Sequence, residues 1–349
     1  MELKPKFFMP FFLLSLITGI LGGWYRMGWE YALPAAAGSH GLFMVGGFMG
    51  SVITLERMIT MKKKWWLLFP ALCALAVILG LVGQPFYMVL LQSIAALGII
   101  LFYFHHLQHD RSNYWYILSL GAASWLIGNL YFLITDTIPF ALPWWVGFIL
   151  FTILGERLEL TRFLPISKQK IQILYVLLAL AFVSLLLPLH GAGQVLYPIS
   201  LLGLTLWYAT NDMALKSIKK PGYSRYLAVG VLTGYGWLAI HALTFAFFFR
   251  EHSWGYDVFV HTFFLGFGFS MIWAHGPMIL PAVLKVKNRP FHSILWVFWS
   301  LFQLTLLTRI LTSLLELDQW RKLLGMLNGI SMLLIFGAMV VLLKWMNRK

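Results

Sequence analysis

The sequence contains little charge and almost no cysteine. Of its 349 residues, 60% are hydrophobic and only 11% are charged, and the mean hydropathy is +0.80. Such a chain cannot bury its apolar surface in a water-soluble core, so the composition predicts a membrane protein. The single cysteine, Cys73, excludes an internal disulfide and a cysteine-based metal cluster.

Several catalytic signatures are also missing. The sequence has no GxxxxGK[ST] phosphate loop, no HExxH, no GxSxG and no CxxC. Their absence argues against an ATP-driven pump, a zinc protease, a serine hydrolase and a thiol oxidoreductase. Cofactor chemistry and transport are the function classes that remain.

Long apolar runs make up most of the chain. Each is close to the ~20 residues that a helix needs to cross a bilayer, and the connections are short. This pattern predicts one all-α transmembrane domain over residues 1–349, a bundle of twelve helices without a cleavable signal peptide. The predicted segments are approximately 7–25, 40–56, 65–83, 86–105, 114–134, 141–159, 171–189, 193–210, 225–249, 258–284, 292–315 and 323–344.

The basic residues are distributed unevenly between alternate loops. Most of the 26 Lys and Arg residues fall in the loops that share a side with both termini. By the positive-inside rule, both termini are therefore expected to be cytoplasmic in the inner membrane of a bacterium. These basic loops beside anionic lipid explain the formal charge of +14. The expected partner is therefore the bilayer and not nucleic acid. The basic residues on the other side are Arg26, Arg250, Arg309, Arg321 and Lys322.

One phrase, H-x-x-F-x-x-x-G-F, occurs twice, as HGLFMVGGF in the second segment and HTFFLGFGF in the tenth. On an α-helix this spacing places the histidine, the phenylalanine and the first matched glycine on one face. A histidine in hydrocarbon is costly and indicates function by default. Two such faces would make the walls of a flat apolar pocket that suits a porphyrin. The residues are His40, Phe43, Gly47, His261, Phe264 and Gly268.

Further polar residues fall into two layers when sequence position is converted to depth. His241 is expected at the outer depth of His40 and His261, and His275 lies fourteen residues after His261, roughly 21 Å deeper. Each histidine has a simpler interpretation as a hydrogen-bonding group between helices. The inner layer would be a proton path or an interfacial ion-pair network. Its members are Glu56, Arg57, Glu156, Arg157, Glu159 and His275.

Three segments, HGLFMVGGFMGSVITLER, ILGERLEL and HTFFLGFGFSMIWAHGPMILP, resemble those of the NnrS-like membrane proteins. That bacterial group is distantly related to the catalytic subunit of heme–copper oxidases. The resemblance implies an oxidase-subunit-I-like bundle of twelve helices with bound heme or copper and a role in nitric oxide metabolism. Oxidase subunits hold a low-spin heme between the second and tenth helices. The resemblance thus implies that His40 and His261 are the axial ligands of a heme, of b type.

The chain also departs from the oxidase pattern. The oxidases hold a copper with three histidines, including a His-His pair and a His-Pro-Glu motif, on their sixth and seventh helices. Here the sixth segment carries GERLEL and the seventh has no histidine within its span. A dioxygen-reducing terminal oxidase is therefore not expected, and whether the protein is an enzyme stays open. His241 and His275 are the remaining candidates for a second metal such as copper.

Two function hypotheses follow, with one further variant. A six-coordinate heme favours electron transfer or sensing, with an electron-transfer protein or a small gas such as nitric oxide as partner. The alternative is a heme-free, proton-coupled transporter that uses the intramembrane carboxylates and a tenth helix interrupted by proline. A metal or heme assembly factor would show the same sequence features.

Overall fold

The computed structural model describes residues 5–347, and this part of the chain is helical and contains no strand. Besides two π-helical segments, π1 (Phe43–Gly50) and π2 (Thr262–Phe269), it contains short 3-10 turns. The α-helices are α1 (Met9–Arg26), α2 (His40–Leu42), α3 (Ser51–Met58), α4 (Leu68–Leu81), α5 (Pro85–Leu107), α6 (Asn113–Thr135), α7 (Ile138–Thr161), α8 (Lys168–Leu186), α9 (Gly193–Asn211), α10 (Ala214–Ser217), α11 (Tyr223–Phe248), α12 (Gly255–His261), α13 (Ser270–Leu284), α14 (Ile294–Leu314) and α15 (Asp318–Met346).

Ten helices within the described residues are long and apolar enough to cross a membrane. Two predicted segments are not among them. They are the segment 40–56, which comprises α2, π1 and α3, and the segment 193–210, which corresponds to α9. The all-α architecture with ten candidate membrane spans is therefore confirmed, whereas the count of twelve spans stays a prediction.

The chain divides into two compact units. The first unit comprises Met1–Gly155 with Ile279–Lys287, and the second comprises Glu156–Met278 with Asn288–Lys349. The expectation of one domain stays a prediction.

In the first unit, α5 packs between α4 and α6, and α1 packs on π1. The core contains Trp125, fully buried, whose ring stacks on Phe148 at 4.8 Å between centroids. Large aromatic contacts of this kind contribute apolar burial and a geometric preference, which fixes the position of α6 against α7.

In the second unit, α9 packs on both α8 and α11, α11 packs on π2, and α14 forms a hairpin with α15. A Cβ atom on Gly230 would lie 2.7 Å from the side chain of Ala274, so α11 and α13 approach closely at this point. Small residues permit such contact in membrane helices. On the other face of α13, Trp273 packs its ring edgewise against Phe302 and Phe336.

Both copies of the repeated phrase coincide with a π-helical segment. The phrase was expected to be α-helical, but π1 begins three residues after His40 and π2 begins immediately after His261. In a π-helix the hydrogen bonds run from residue i to i+5, so the face that contains each histidine is not the one expected from α-helical spacing. Residues that follow the π-helical segment are also rotated about the helix axis, relative to their positions in a continuous α-helix. Segments of this kind are rare and are frequent at functional sites.

Local side chains and glycines explain why π1 is tolerated. The Ser15 hydroxyl donates to the Phe43 carbonyl at 2.9 Å, and the Ser51 hydroxyl donates to the Gly46 carbonyl at 3.0 Å. The changed hydrogen-bond pattern of a π-helix leaves some backbone carbonyls without a good backbone donor. The two hydroxyls satisfy such carbonyls inside the protein, as hydrocarbon surroundings require. The glycines of FMVGGFMG also weaken the preference for the α-helix.

Candidate functional site

A buried ion pair lies in the second unit, near the end of α7. Arg157 and Asp212 are 2% and 1% exposed, and their side chains form two parallel hydrogen bonds. Arg157 Nε donates to Asp212 Oδ2 at 2.8 Å, and Nη2 donates to Oδ1 at 2.5 Å. This bidentate geometry is the strong form of an arginine–carboxylate pair. Neither charge is left uncompensated, which is the condition for burying both.

Two further groups complete the acceptor capacity of Asp212. The Tyr235 hydroxyl donates to Oδ2 at 2.7 Å, and the Ala214 backbone N–H donates to Oδ1 at 2.7 Å. Tyr235 is on α11, whereas Asp212 caps the C-terminal end of α9. The carboxylate therefore joins α7, α9 and α11 at one point.

His275 contacts the same arginine. Its Nδ1 lies 2.8 Å from the Met271 carbonyl, which can only accept, so Nδ1 carries the proton in the neutral ring. The lone pair of Nε2 then faces Arg157 Nη1 at 3.4 Å. We name Arg157, Asp212, Tyr235 and His275 the α7 cluster.

A second cluster with the same kinds of group lies at the start of α12. Arg309 Nη2, from α14, contacts the two carboxylate oxygens of Asp257 at 3.2 and 3.3 Å. His261 Nδ1 lies 2.7 Å from the Asp257 carbonyl, and its Nε2 lies 3.1 Å from Arg309 Nη2. We name Asp257, His261 and Arg309 the α12 cluster. In each cluster, an imidazole thus contacts the arginine of an Arg–Asp ion pair.

His241 is held on both ring nitrogens by uncharged partners. It is fully buried, its Nδ1 lies 3.0 Å from Thr262 Oγ1, and its Nε2 lies 2.7 Å from the Tyr197 hydroxyl. The Thr262 hydroxyl donates to the Val258 carbonyl at 2.7 Å, so its oxygen accepts from His241 Nδ1–H. Tyr197 therefore donates to the Nε2 lone pair, and His241 is a hydrogen-bonding link between α9, α11 and π2.

A third polar contact connects α11, α13 and α14. Trp237 Nε1 donates to Gln303 Oε1 at 2.7 Å, and Gln303 Nε2 donates to Ser270 Oγ at 2.9 Å. These groups are uncharged and satisfy one another inside the second unit, where an unpaired polar group would be costly.

His40 belongs to the first unit. Its Nδ1 lies 2.6 Å from the Gly19 carbonyl on α1. A Cβ atom on Gly23 would lie 2.9 Å from the His40 ring, so the ring packs closely against the glycine face of α1. This orientation, with Nδ1–H held by a carbonyl, is the one in which metal-ligating histidines are usually fixed.

The other residues of the two phrases pack tightly. Phe43 and Phe264 are 1% and 6% exposed, and Gly47 and Gly268 are buried. A side chain on Gly47 would meet Ser15 Oγ on α1. Close packing between helices thus accounts for the glycine of the first phrase.

Of the charged residues predicted for the inner layer, Arg157 is the one that the α7 cluster contains. Glu159 lies near the surface, with one oxygen 3.8 Å from Arg162 Nη2. Glu156 is half-buried beside it in the second unit. In the first unit, Glu56 is half-buried, and the Arg57 guanidinium carbon lies 6.0 Å from the centre of the Tyr103 ring.

The carboxylate of the α7 cluster, Asp212, escaped the sequence reasoning. The predicted eighth segment ends at residue 210, so Asp212 falls just outside it. Asp257 was missed for the same reason, because it precedes the predicted start of its segment. A single acidic residue next to an apolar run in a chain with only 12 acidic residues was the available signal.

Three histidines of the second unit, His241, His261 and His275, do not fit heme iron in this arrangement. Ligation requires the lone pair of a ring nitrogen. Arg309 Nη2 lies 3.1 Å from Nε2 of His261, the lone pair of His275 faces Arg157, and that of His241 accepts from Tyr197. Among residues 5–347, no group of three or more His, Cys, Asp or Glu side chains is arranged to hold a metal ion.

These features define an α-helical protein with long apolar helices of transmembrane type and with buried ion pairs in its second unit. A family profile described as "Domain of unknown function (DUF8744)" matches residues 6–344, so the chain belongs to this family. No curated protein and no solved structure matches the chain.

Proposed function

We propose that the protein moves protons through its second unit and couples this movement to the transport of a solute across the membrane. The observation that supports the proposal is a column of polar groups along α12, π2 and α13. Each member of the column has a polar partner on a neighbouring helix. The members are Asp257, His261, Thr262, Ser270 and His275.

The column has the length that a transmembrane path needs. Asp257 and His275 are eighteen residues apart, and at ~1.5 Å per residue they are separated by about 25 Å. The hydrocarbon core of a bilayer is ~30 Å thick. Ionisable side chains inside this region are costly, and where they persist they mark ion pathways and proton relays.

The α7 cluster supplies a physical link between protonation and conformation. A neutral His275 accepts from Arg157, but a protonated His275 has no lone pair and repels the guanidinium. A proton that reaches this imidazole therefore weakens its contact with the ion pair, and the helices that the ion pair joins are biased toward a different packing.

The centre of the column contains the largest gap. Between Thr262 and Ser270 the sequence FFLGFGF is apolar and spans about 12 Å. Water or a rearrangement must carry the proton over this interval. The interval coincides with π2, and the occurrence of this rare helical geometry at the gap supports a gate there.

Proton flux in proteoliposomes tests the proposal. The wild-type protein should carry protons down an imposed membrane potential, measured with a pH-sensitive dye inside the vesicles, in buffers with and without succinate and phosphate. The variant His275→Gln should reduce this flux to the level of protein-free vesicles, because glutamine cannot be protonated. His109→Gln, an exposed histidine outside the second unit, is the matched control and should conduct as the wild type does.

Wild-type flux equal to that of protein-free vesicles in every buffer would refute the proposal. Equal flux in the wild type and His275→Gln would remove the α7 cluster from the path.

Heme binding, the function predicted first from the sequence, is the second candidate. The orientation of His40 favours it, since a Nδ1–H held by a backbone carbonyl is typical of an iron ligand. His261 would join it only after Arg309 leaves its Nε2 atom. A bound heme would supply redox chemistry, and His40 and His261 would hold it.

An absorption spectrum tests this candidate. Purified protein with near-stoichiometric heme should show a Soret band and a sharp reduced α band, and His40→Ala should lose both. His190→Ala, on an exposed turn of the second unit, should keep them. A protein that stays colourless after expression with added heme contradicts heme binding.

A further inference from the structure

The end of the second unit that holds the α12 cluster contains more buried arginine than carboxylate. Arg309 on α14 and Arg321 on α15 are each 5% exposed. Asp257 faces Arg309, but the partner of Arg321, Asp318, is 59% exposed and lies 3.7 Å from Arg321 Nε. Beyond hydrogen-bond distance and in contact with water, Asp318 compensates the buried guanidinium poorly.

Both guanidinium groups also have donors that no protein atom uses. Arg309 makes its contacts to Asp257 and His261 through Nη2. Neither Arg309 Nε nor Arg321 Nε has a hydrogen-bond partner among the residues that the structure describes, although both atoms are buried. Such unpaired donors cost free energy, and in native proteins they indicate a missing ligand or a strained functional group.

The position of Arg321 is fixed by an aromatic ring. Its guanidinium carbon lies 3.5 Å from the centre of the Trp254 ring, so the planar group is stacked on the indole. Stacking orients the guanidinium without consuming its N–H donors, which lie in the plane of the group. Asp257 and Arg309 both act electrostatically on Arg321, so the two guanidiniums are neighbours. Two neighbouring guanidiniums with unused donors suit an anion with several oxygen acceptors.

Side chains next to the two buried arginines reach the protein surface. The side chains of Asp257 and His261 are 21% and 15% exposed. Arg309 lies five residues before the end of α14, and Arg321 lies in the first turn of α15. At ~1.5 Å per residue, Arg309 is within about 8 Å of the helix end.

We propose that Arg309 and Arg321 bind an oxyanion, a carboxylate or phosphate group, and that this anion is the solute whose transport is coupled to protons. The second part rests on the proposed function, whereas binding does not.

Ligand-dependent stabilisation of the detergent-purified full chain tests binding. Succinate and inorganic phosphate should each raise the thermal unfolding midpoint more than chloride does at equal ionic strength. Arg321→Gln should weaken the apparent affinity by about tenfold or more, since a charged hydrogen bond is lost. Arg321→Gln leaves the ion pair of Arg309 with Asp257 in place, so the variant is expected to fold. Lys322→Gln removes the same charge from the neighbouring exposed position and should bind as the wild type does.

Each other outcome has a defined meaning. If neither anion exceeds chloride, or if both variants lose affinity equally, the site is refuted. If only phosphatidylglycerol in nanodiscs stabilises the protein in an Arg321-dependent way, the oxyanion is a lipid headgroup, and the solute assignment is refuted. Anion binding without proton flux would retain the site and refute the proposed function.

Discussion

Asp212→Leu is expected to destabilise the folded protein by about 3–5 kcal/mol, because it leaves the guanidinium of Arg157 buried without a counter-charge. The Tyr235 hydroxyl and the Ala214 backbone N–H also lose their acceptor. Removal of one partner costs the full desolvation of the other, which is why the effect exceeds the value of an ordinary hydrogen bond. Denaturation of the purified protein in mixed micelles measures the change in the free energy of unfolding.

The double variant Arg157→Met with Asp212→Leu is the control for this prediction. It removes both charges, and buried ion pairs replaced by apolar groups of similar volume are often neutral or stabilising. We therefore expect it to recover most of the lost free energy and yet to carry no protons. A double variant as unstable as Asp212→Leu would show that local packing, and not the unpaired charge, causes the loss. A stable double variant with wild-type flux would reduce the pair to a structural role.

The sequence predicted which polar groups lie at the same depth better than it predicted which of them are in contact. Arg157 and His275 were both predicted as members of one inner layer, and the structure places them in contact. Depth along a helix follows from residue number, so groups at equal depth can be predicted. Which of them meet depends on the rotation of each helix and on loop residues such as Asp212, and neither is encoded in the periodicity of one segment.

The repeated phrase illustrates a second kind of limit. Its recurrence marked two special segments, and both contain a π-helical run. The choice between i+4 and i+5 hydrogen bonding is decided by contacts such as that of Ser15 with the Phe43 carbonyl, which lie far apart in sequence. Each histidine was expected to share a face with the phenylalanine and glycine of its phrase on an α-helix, and π1 and π2 invalidate that premise. The segment was identified, but its geometry was not.

The outer histidines show how one residue type divides into different roles. His40 and His261 remain the predicted heme ligands. His241 was grouped with them by depth, but its two nitrogens are satisfied by Thr262 and Tyr197. Depth alone could not separate a ligand from a link between helices, since both need a buried imidazole.

His241→Leu therefore supplies the second large expected effect, a destabilisation of about 1–3 kcal/mol with no change in metal or heme content. Leucine fills a volume close to that of the imidazole but leaves the Tyr197 hydroxyl, in a side chain that is 1% exposed, without its acceptor. Thr262 keeps its bond to the Val258 carbonyl, so the cost is concentrated on Tyr197. Unfolding in mixed micelles, with metal analysis of the same sample, measures both quantities.

A double-mutant cycle with Tyr197→Phe isolates the contact. Tyr197→Phe alone leaves His241 Nε2 buried without a donor, whereas the double variant removes both polar groups together. The two changes should therefore be less costly together than the sum of the single variants, with a coupling of about 1–2 kcal/mol. Strict additivity would mean that the two side chains do not share a hydrogen bond in solution. Loss of metal or heme in His241→Leu would instead restore His241 to the ligand set, since a residue that only links helices has no reason to retain a cofactor.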